Sequence, residues 1–290
     1  MIRGKELEEQ VFENYHIENV LNEMALVFDS YFSSFKHKAM KTIFREHIED
    51  HQNEITAYKK YLDPQVLEEY EYDPNAFKVF SKNDCPIIHR CLWSRNEFAK
   101  TYNKSFNRVS GRELLNTVKM ISNFGMEYVE SFNDNAHENV SSPSELNLET
   151  LSEEAYYLPG VIGYGIQSTL LYGVYPQQFA HRSQNAVWML YFLSGRKDFG
   201  LLDGSEFLII HVDKGTIEQN YYYPPPLFGF YAIKIYLMLQ KACELEKIPL
   251  FDQYRYIYLS AFSNHVASLH FDDINTYRRS SEDVESQPWF

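Results

Sequence analysis

Hydrophobic positions recur at helical spacing along most of this chain. Phe12, Tyr15, Val20, Leu21, Met24, Val27, Phe28, Tyr31, Phe32 and Phe35 form one stripe, which Met40, Ile43, Phe44 and Ile48 continue. That periodicity predicts helix throughout residues 5–61. Glu46, Glu49, Asp50 and Glu54 fall off the stripe and read as a solvated face. Asp63-Pro64 and Asp73-Pro74 then punctuate an acidic segment, with a short helix between them. Residues 95–133 predict two or three more helices, including Asn96–Tyr102 and Ser110–Phe124, the second opened by a capping box of Ser110 and Glu113. The polar stretch 103–109 between them gives the outline of a helix-turn-helix. Asn133–Leu151 is the most polar connection and predicts a linker, and Leu151–Leu158 a short helix after it.

Beyond residue 150 the pattern changes. Gln167–Val174 is an apolar helix, and a second helix opens near Gln184. Branched and aromatic residues make 206–212 a strand, Asp213-Lys214-Gly215 a turn and Thr216–Tyr223 its return, a β-hairpin spanning 206–223. Pro224-Pro225-Pro226 ends it. Leu227–Glu244 reads as a long helix, Tyr254–Phe271 as the last one, and 277–290 as a frayed tail. The predicted organisation is an N-terminal helical region over 1–135 and a second helical region over 150–276.

Composition narrows the function classes. The 290 residues carry 40 Asp and Glu against 27 Lys and Arg, a net charge of −13. Such a surface disfavours indiscriminate nucleic-acid binding but leaves room for a local basic face. Lys82–Lys119 is such a place, with eight bases and three acids. Three cysteines (Cys85, Cys91, Cys243) imply no disulfide framework and point to a reducing compartment. The first ten residues lack the apolar core of a signal peptide, and the longest apolar runs, Thr169–Val174 and Val187–Leu193, are short for a membrane span. A cytoplasmic protein with no membrane partner is expected.

One stretch stands apart. From Ala155 to Lys197, 43 residues contain no Asp or Glu. Either this segment is buried or it faces something negatively charged. It holds Gly163-Tyr164-Gly165-Ile166-Gln167-Ser168-Thr169, a glycine, a hydrophobe, a second glycine and a small residue four further on, preceded by apolar Val161-Ile162. Glycines permit close backbone approach, and the first N–H groups of the following helix suit a phosphate. The pattern resembles the helix-hairpin-helix motif of DNA-binding proteins, over about 35 residues, and extends to the helix-hairpin-helix DNA glycosylase superfamily. The resemblance implies a mainly α, multi-helix globular protein with a helix-hairpin-helix-like segment and one β-hairpin. It also implies DNA as partner, in repair or in defence against foreign DNA, with Gly163, Gly165, Gln167, Ser168 and Thr169 meeting the backbone. His181, Arg182 and Ser183 would extend that contact. The superfamily's catalytic Asp would fall at Ser183 and its Schiff-base Lys near Gln167, so glycosylase chemistry is not expected.

Other chemistry is thinly represented. Gly-x-Ser-x-Gly, a P-loop and His-Glu-x-x-His are absent, and no strand precedes the glycines as a dinucleotide fold requires. No cofactor is expected. His47 and His51 share one helix face and Cys85-x3-His89-x-Cys91 is compact, yet neither has the further ligands that a metal requires, so no metal is assigned. Two alternatives stand beside DNA binding. One is a regulatory or structural protein that engages a protein partner through its acidic helices. The other is an enzyme with a polar site around His181–Asn185, with His211 and Tyr221–Tyr223 lining the same cleft.

Overall fold

The computed structural model describes residues 14–94, 97–197, 207–211, 216–220 and 223–282. The chain is mainly helical, as its periodicity predicts. The first stripe forms α1 (Asn14–His37) and α2 (Met40–Tyr61) rather than one rod. Ala39 lies between them at φ 58, a left-handed conformation that an alanine rarely adopts and that ends the first helix. Five short and medium helices follow: α3 (Pro64–Glu69), α4 (Pro74–Asp84), α5 (Pro86–Trp93), α6 (Glu97–Arg108) and α7 (Gly111–Glu130). Three of them start on proline, whose fixed φ and missing N–H suit the first helical position. Asp63 and Asp73 cap the first two through Gln65 N and Ala76 N. Ser110 and Glu113 make the expected capping box on α7.

The helix-turn-helix outline does not survive. Residues 103–108 are the second half of α6, and only Val109 and Ser110 separate it from α7. Tyr102 and Phe106 are both buried on one face, and Asn103 donates to the carbonyls of Leu92 and Ala99. A polar-looking segment is thus held by two inward aromatic rings four residues apart. Three of the eight bases of the expected basic face are paired with acids: Arg90 with Glu54 of α2, and Arg112 and Lys119 with Glu71.

The expected linker is structured. It contains α8 (Asp134–Glu138), capped by Asn133, and three 3-10 turns, Pro143–Leu146, Glu149–Ser152 and Glu154–Tyr156. Leu146, Leu148 and Leu151, in and between the first two of these turns, are buried, so a chain that looks polar is pinned by inward leucines. Then come α9 (Tyr164–Val174), α10 (Gln184–Leu193), α11 (Pro225–Leu245), α12 (Arg255–Leu269) and α13 (Phe271–Glu282). The last of these carries helix through 277–282, part of the expected tail. Leu208–His211 pairs antiparallel with Thr216–Gln219, Leu208 opposite Gln219 and His211 opposite Thr216. The turn expected at Asp213–Gly215 lies outside the described residues.

The core explains the absence of acids from 155–197. Residues Ala186–Leu193 of α10 are all buried, pressed between α1 and α12. Helix α9 lies against α2, α5 and α7. Gly173 sets the α9–α2 spacing, since a Cβ there would sit 2.6 Å from the Tyr58 ring. Aromatic rings fill much of the interior. Phe35 meets Phe44, Phe262 and His265, and Phe44 meets Tyr258 with centroids 4.8 Å apart. The apolar cluster joins side chains from Ile17 to Ile274, drawn from both sides of the 135–150 stretch. No described helix is long and apolar enough to cross a membrane.

Candidate functional site

The glycine-rich segment is built as a tight turn feeding a helix. Leu158 and Ile162 bond to one another, with Gly160 at φ 71 in the bend. Gly163 is the first residue before α9, in extended backbone, and no side chain caps the helix. What precedes the turn is a pair of 3-10 turns, where a helix-hairpin-helix has an α-helix. Gly163, Gly165 and Ser168 are half-buried, but Gln167 and Thr169 face inward.

Each inward side chain has a structural partner. Gln167 Nε2 donates to the carbonyls of Leu151 at 3.0 Å and Tyr156 at 3.2 Å, which ties α9 to the 3-10 turns. Thr169 Oγ1 donates to Gly165 O at 2.7 Å. Ser168 Oγ donates to the same carbonyl at 2.9 Å and accepts from the Arg182 N–H at 3.1 Å. As contacts to an external phosphate, the Gln167 and Thr169 side chains are therefore corrected: both groups are spent inside the protein.

The segment His181–Asn185 does not form one polar site. The His181 ring stacks on Tyr172, with centroids 4.7 Å apart and planes 9° from parallel. Burial, with Arg90 and His51 nearby, lowers its pKa to about 4, so it is neutral at pH 7. Ser183 caps α10 through Ala186 N. Gln184 O accepts from Gln219 Nε2, which holds the second strand against α10. Asn185 donates to Asn264, whose amide in turn meets His47 Nε2. His47 also bonds Ile43 O, while His51 turns to Tyr172 O. The two histidines thus diverge, and no group of three metal-ligating residues exists among the described residues. Cys85 and Cys91 are buried, and burial pushes both thiols up to about 12, which makes them inert packing groups. Of the strand-side residues, Tyr223 is buried, whereas Tyr221, Tyr222 and the His211 side chain lie outside the described residues.

Arg182 takes a third direction. It is 7% exposed. Its Nη2 donates to Asn220 O at 2.9 Å, and its guanidinium lies over the Tyr164 ring at 5.9 Å. There it borders a cavity with about 480 Å3 of empty space, the open mouth included. Leu146, Leu148 and Leu151 of the 3-10 turns form one wall. Pro225, Phe228 and Gly229 open α11 on another side, where a Cβ on Gly229 would come within 2.9 Å of Leu148 Cδ1. Tyr164, Gln167, Ser168 and Leu171 of α9 form the third, and Gln178, Phe179 and Ala180 of the following loop flank Arg182.

His137 and Tyr256 complete the lining, joined by a 2.7 Å bond between His137 Nε2 and Tyr256 Oη. Burial first and the Arg255 charge second lower the His137 pKa to about 4. Arg255 itself is fully buried outside the lining. It donates to Asp134 at 2.9 Å, Glu138 at 2.7 Å and Gln177 O at 3.0 Å, which locks α8 to α12. Among the described residues, the lining holds one guanidinium, a neutral imidazole and no carboxylate.

Four of the sequence-predicted residues or their neighbours meet here after all: Tyr164, Gln167, Ser168 and Arg182. They line an internal cavity in place of an outward face. The residues that sequence reasoning missed are His137, the three leucines and Gly229. Their only signal was leucine recurring through a polar stretch. Comparison of the chain with protein-family models, with curated proteins and with solved structures found no match.

Proposed function

We propose that this protein binds a small organic molecule in the cavity between α9, α11 and the 3-10 turns. The observation that carries the reading is the lining: apolar walls from several elements converge on a few polar groups, with a buried guanidinium among them. A structural core has no use for a bordering space of this kind, and close packing would be the more stable solution there. The test is saturation-transfer NMR on a mixture of neutral and charged small molecules, with wild type and Ala180→Phe compared. Ala180 is a half-buried loop residue at the lining, so a phenyl ring there fills the space without entering a helix. Binding to wild type that disappears in the filled variant supports the reading. Equal binding to both removes it.

A second reading is contact with a DNA backbone at Gly163 and Gly165. It is favoured by one observation, the uncapped first turn of α9 with both glycines half-buried at its start. It predicts an affinity for duplex DNA that falls steeply with salt and is weakened by Gly165→Asp. Duplex binding absent at low salt rejects it.

A further inference from the structure

We infer that the cavity ligand is an uncharged, mostly hydrocarbon molecule carrying one hydroxyl or carbonyl oxygen, and that this oxygen meets the hydroxyl of Tyr256. This deepens the reading of the cavity as a ligand site and rests on it. The first observation is the state of the polar side chains on the wall. Gln167 Nε2 donates to Leu151 O and Tyr156 O, and Ser168 Oγ donates to Gly165 O while accepting from the Arg182 N–H. Arg182, the one cation of the described lining, donates to Asn220 O and lies over the Tyr164 ring. These groups hold the wall together, so a ligand meets them as surface already in use. A carboxylate would shed its water to reach a guanidinium engaged in this way, and an ammonium group would meet like charge. A neutral molecule incurs neither cost. The second observation is the apolar remainder of the wall, where Leu146, Leu148, Leu151, Leu171, Phe179 and Phe228 match hydrocarbon.

The third observation is the His137–Tyr256 pair. Both are wall residues, bonded to one another through His137 Nε2 and Tyr256 Oη at 2.7 Å. A phenol hydroxyl has one donor and two acceptor positions, and the imidazole takes one of the three. Tyr256 Oη therefore keeps capacity for a further polar group, and a ligand in the cavity can bring one to it. Both partners are uncharged at pH 7. Burial lowers the His137 pKa to about 4 and holds the Tyr256 hydroxyl protonated far above its ordinary range. A neutral dipole of this kind suits a hydroxyl or a carbonyl oxygen. Gln178, half-buried in the loop after α9, adds a neutral amide to the wall and no charge.

The test is NMR titration of the full chain at neutral pH with four compounds of similar shape: benzyl alcohol, ethylbenzene, benzylammonium and benzoate. Benzyl alcohol should bind at least about tenfold more tightly than either ion, because each ion gives up more hydration than the wall returns. Tyr256→Phe removes one hydroxyl from the wall. It should weaken benzyl alcohol by about three- to tenfold and leave ethylbenzene unchanged. In wild type the benzylic methylene protons should show nuclear Overhauser contacts to the Tyr256 ring, a measurement that needs no variant to fold. Benzoate binding as tightly as benzyl alcohol, with both lost in Ala180→Phe, overturns the uncharged class and leaves the cavity reading intact. Equal effects of Tyr256→Phe on benzyl alcohol and ethylbenzene, or no Overhauser contact to Tyr256, overturn the place given to the oxygen. Failure of all four compounds to bind at millimolar concentration overturns the inference, and the cavity reading then stands or falls on the broader mixture.

Discussion

Replacing Gln167 by leucine separates an inward, structural glutamine from an outward, DNA-contacting one. The side chain is 2% exposed and its amide nitrogen donates to Leu151 O and Tyr156 O. Leucine fills nearly the same volume but donates nothing. Two buried carbonyls lose their partner, at about 1–3 kcal/mol each. The apolar side chain recovers about 1–2 kcal/mol through burial, and the helix propensities differ by only a few tenths. The net expectation is a loss of about 1–4 kcal/mol, with the carbonyl term winning because two buried acceptors are left without the donor they share. Urea unfolding followed by circular dichroism measures it, with unchanged slope as evidence that the unfolding transition is the same one. Gln65→Leu, at an exposed position on α3, serves as the control and should stay within about 0.5 kcal/mol. If Gln167→Leu is as neutral as that control, the glutamine does not hold the 3-10 turns and the wall of the cavity is wrongly described.

Three further outcomes follow from the same structure. His137 and His181 have pKa values lowered to about 4 by burial, so the unfolded chain binds more protons than the folded one below the ordinary value of 6.5. Stability is therefore fully present above pH 6.5 and is lost as pH falls towards 4, by up to about 1.4 kcal/mol per pH unit for each histidine; His137→Asn should flatten part of that slope in urea titrations. Arg255→Met should destabilise by about 2–3 kcal/mol in the same assay, less than a fully buried ion pair would lose, because Asp134 and Glu138 are 48% and 30% exposed and regain water. Gly173→Ala sets about 1 kcal/mol of helix propensity against about 1–3 kcal/mol of overpacking, and a Cβ 2.6 Å from the rigid Tyr58 ring puts the balance on the side of loss. A stabilised Gly173→Ala would mean that α9 and α2 are not in that contact.

The helices were legible wherever an apolar stripe repeated and a local signal marked the start. Asp63-Pro64 and the Ser110–Glu113 box are such signals and each opens an expected helix, while Asp73-Pro74, read as the end of the short helix, also opens the next one. What escaped has physical reasons. The break between α1 and α2 rests on Ala39 in a left-handed conformation, which no glycine or proline announces. The polar run 103–109 hid a helix because its composition looks like a turn, while Tyr102 and Phe106, at helical spacing, supply the buried face. The 133–151 stretch has too few apolar residues for a period to register, yet short 3-10 turns need only a few inward side chains, and Leu146, Leu148 and Leu151 supply them.

The candidate site was half legible for a similar reason. An acid-free run in an acidic chain has two physical explanations, burial and an anionic partner, and sequence alone does not separate them. Burial accounts for α10, whose Ala186–Leu193 face the core on every side. It does not account for Arg182, because a segment selected only for burial has no more use for a guanidinium than for a carboxylate. The asymmetry is what matters: 155–197 excludes every acid, yet keeps a cation at 7% exposure on the wall of a cavity. Glutamine, threonine and serine in the same segment are each absorbed by a backbone partner, and Arg182 donates to the Asn220 carbonyl and lies over the Tyr164 ring. Burial set the composition of the helix, and the arginine just before it is held by the Asn220 carbonyl and the Tyr164 ring on the wall of the cavity.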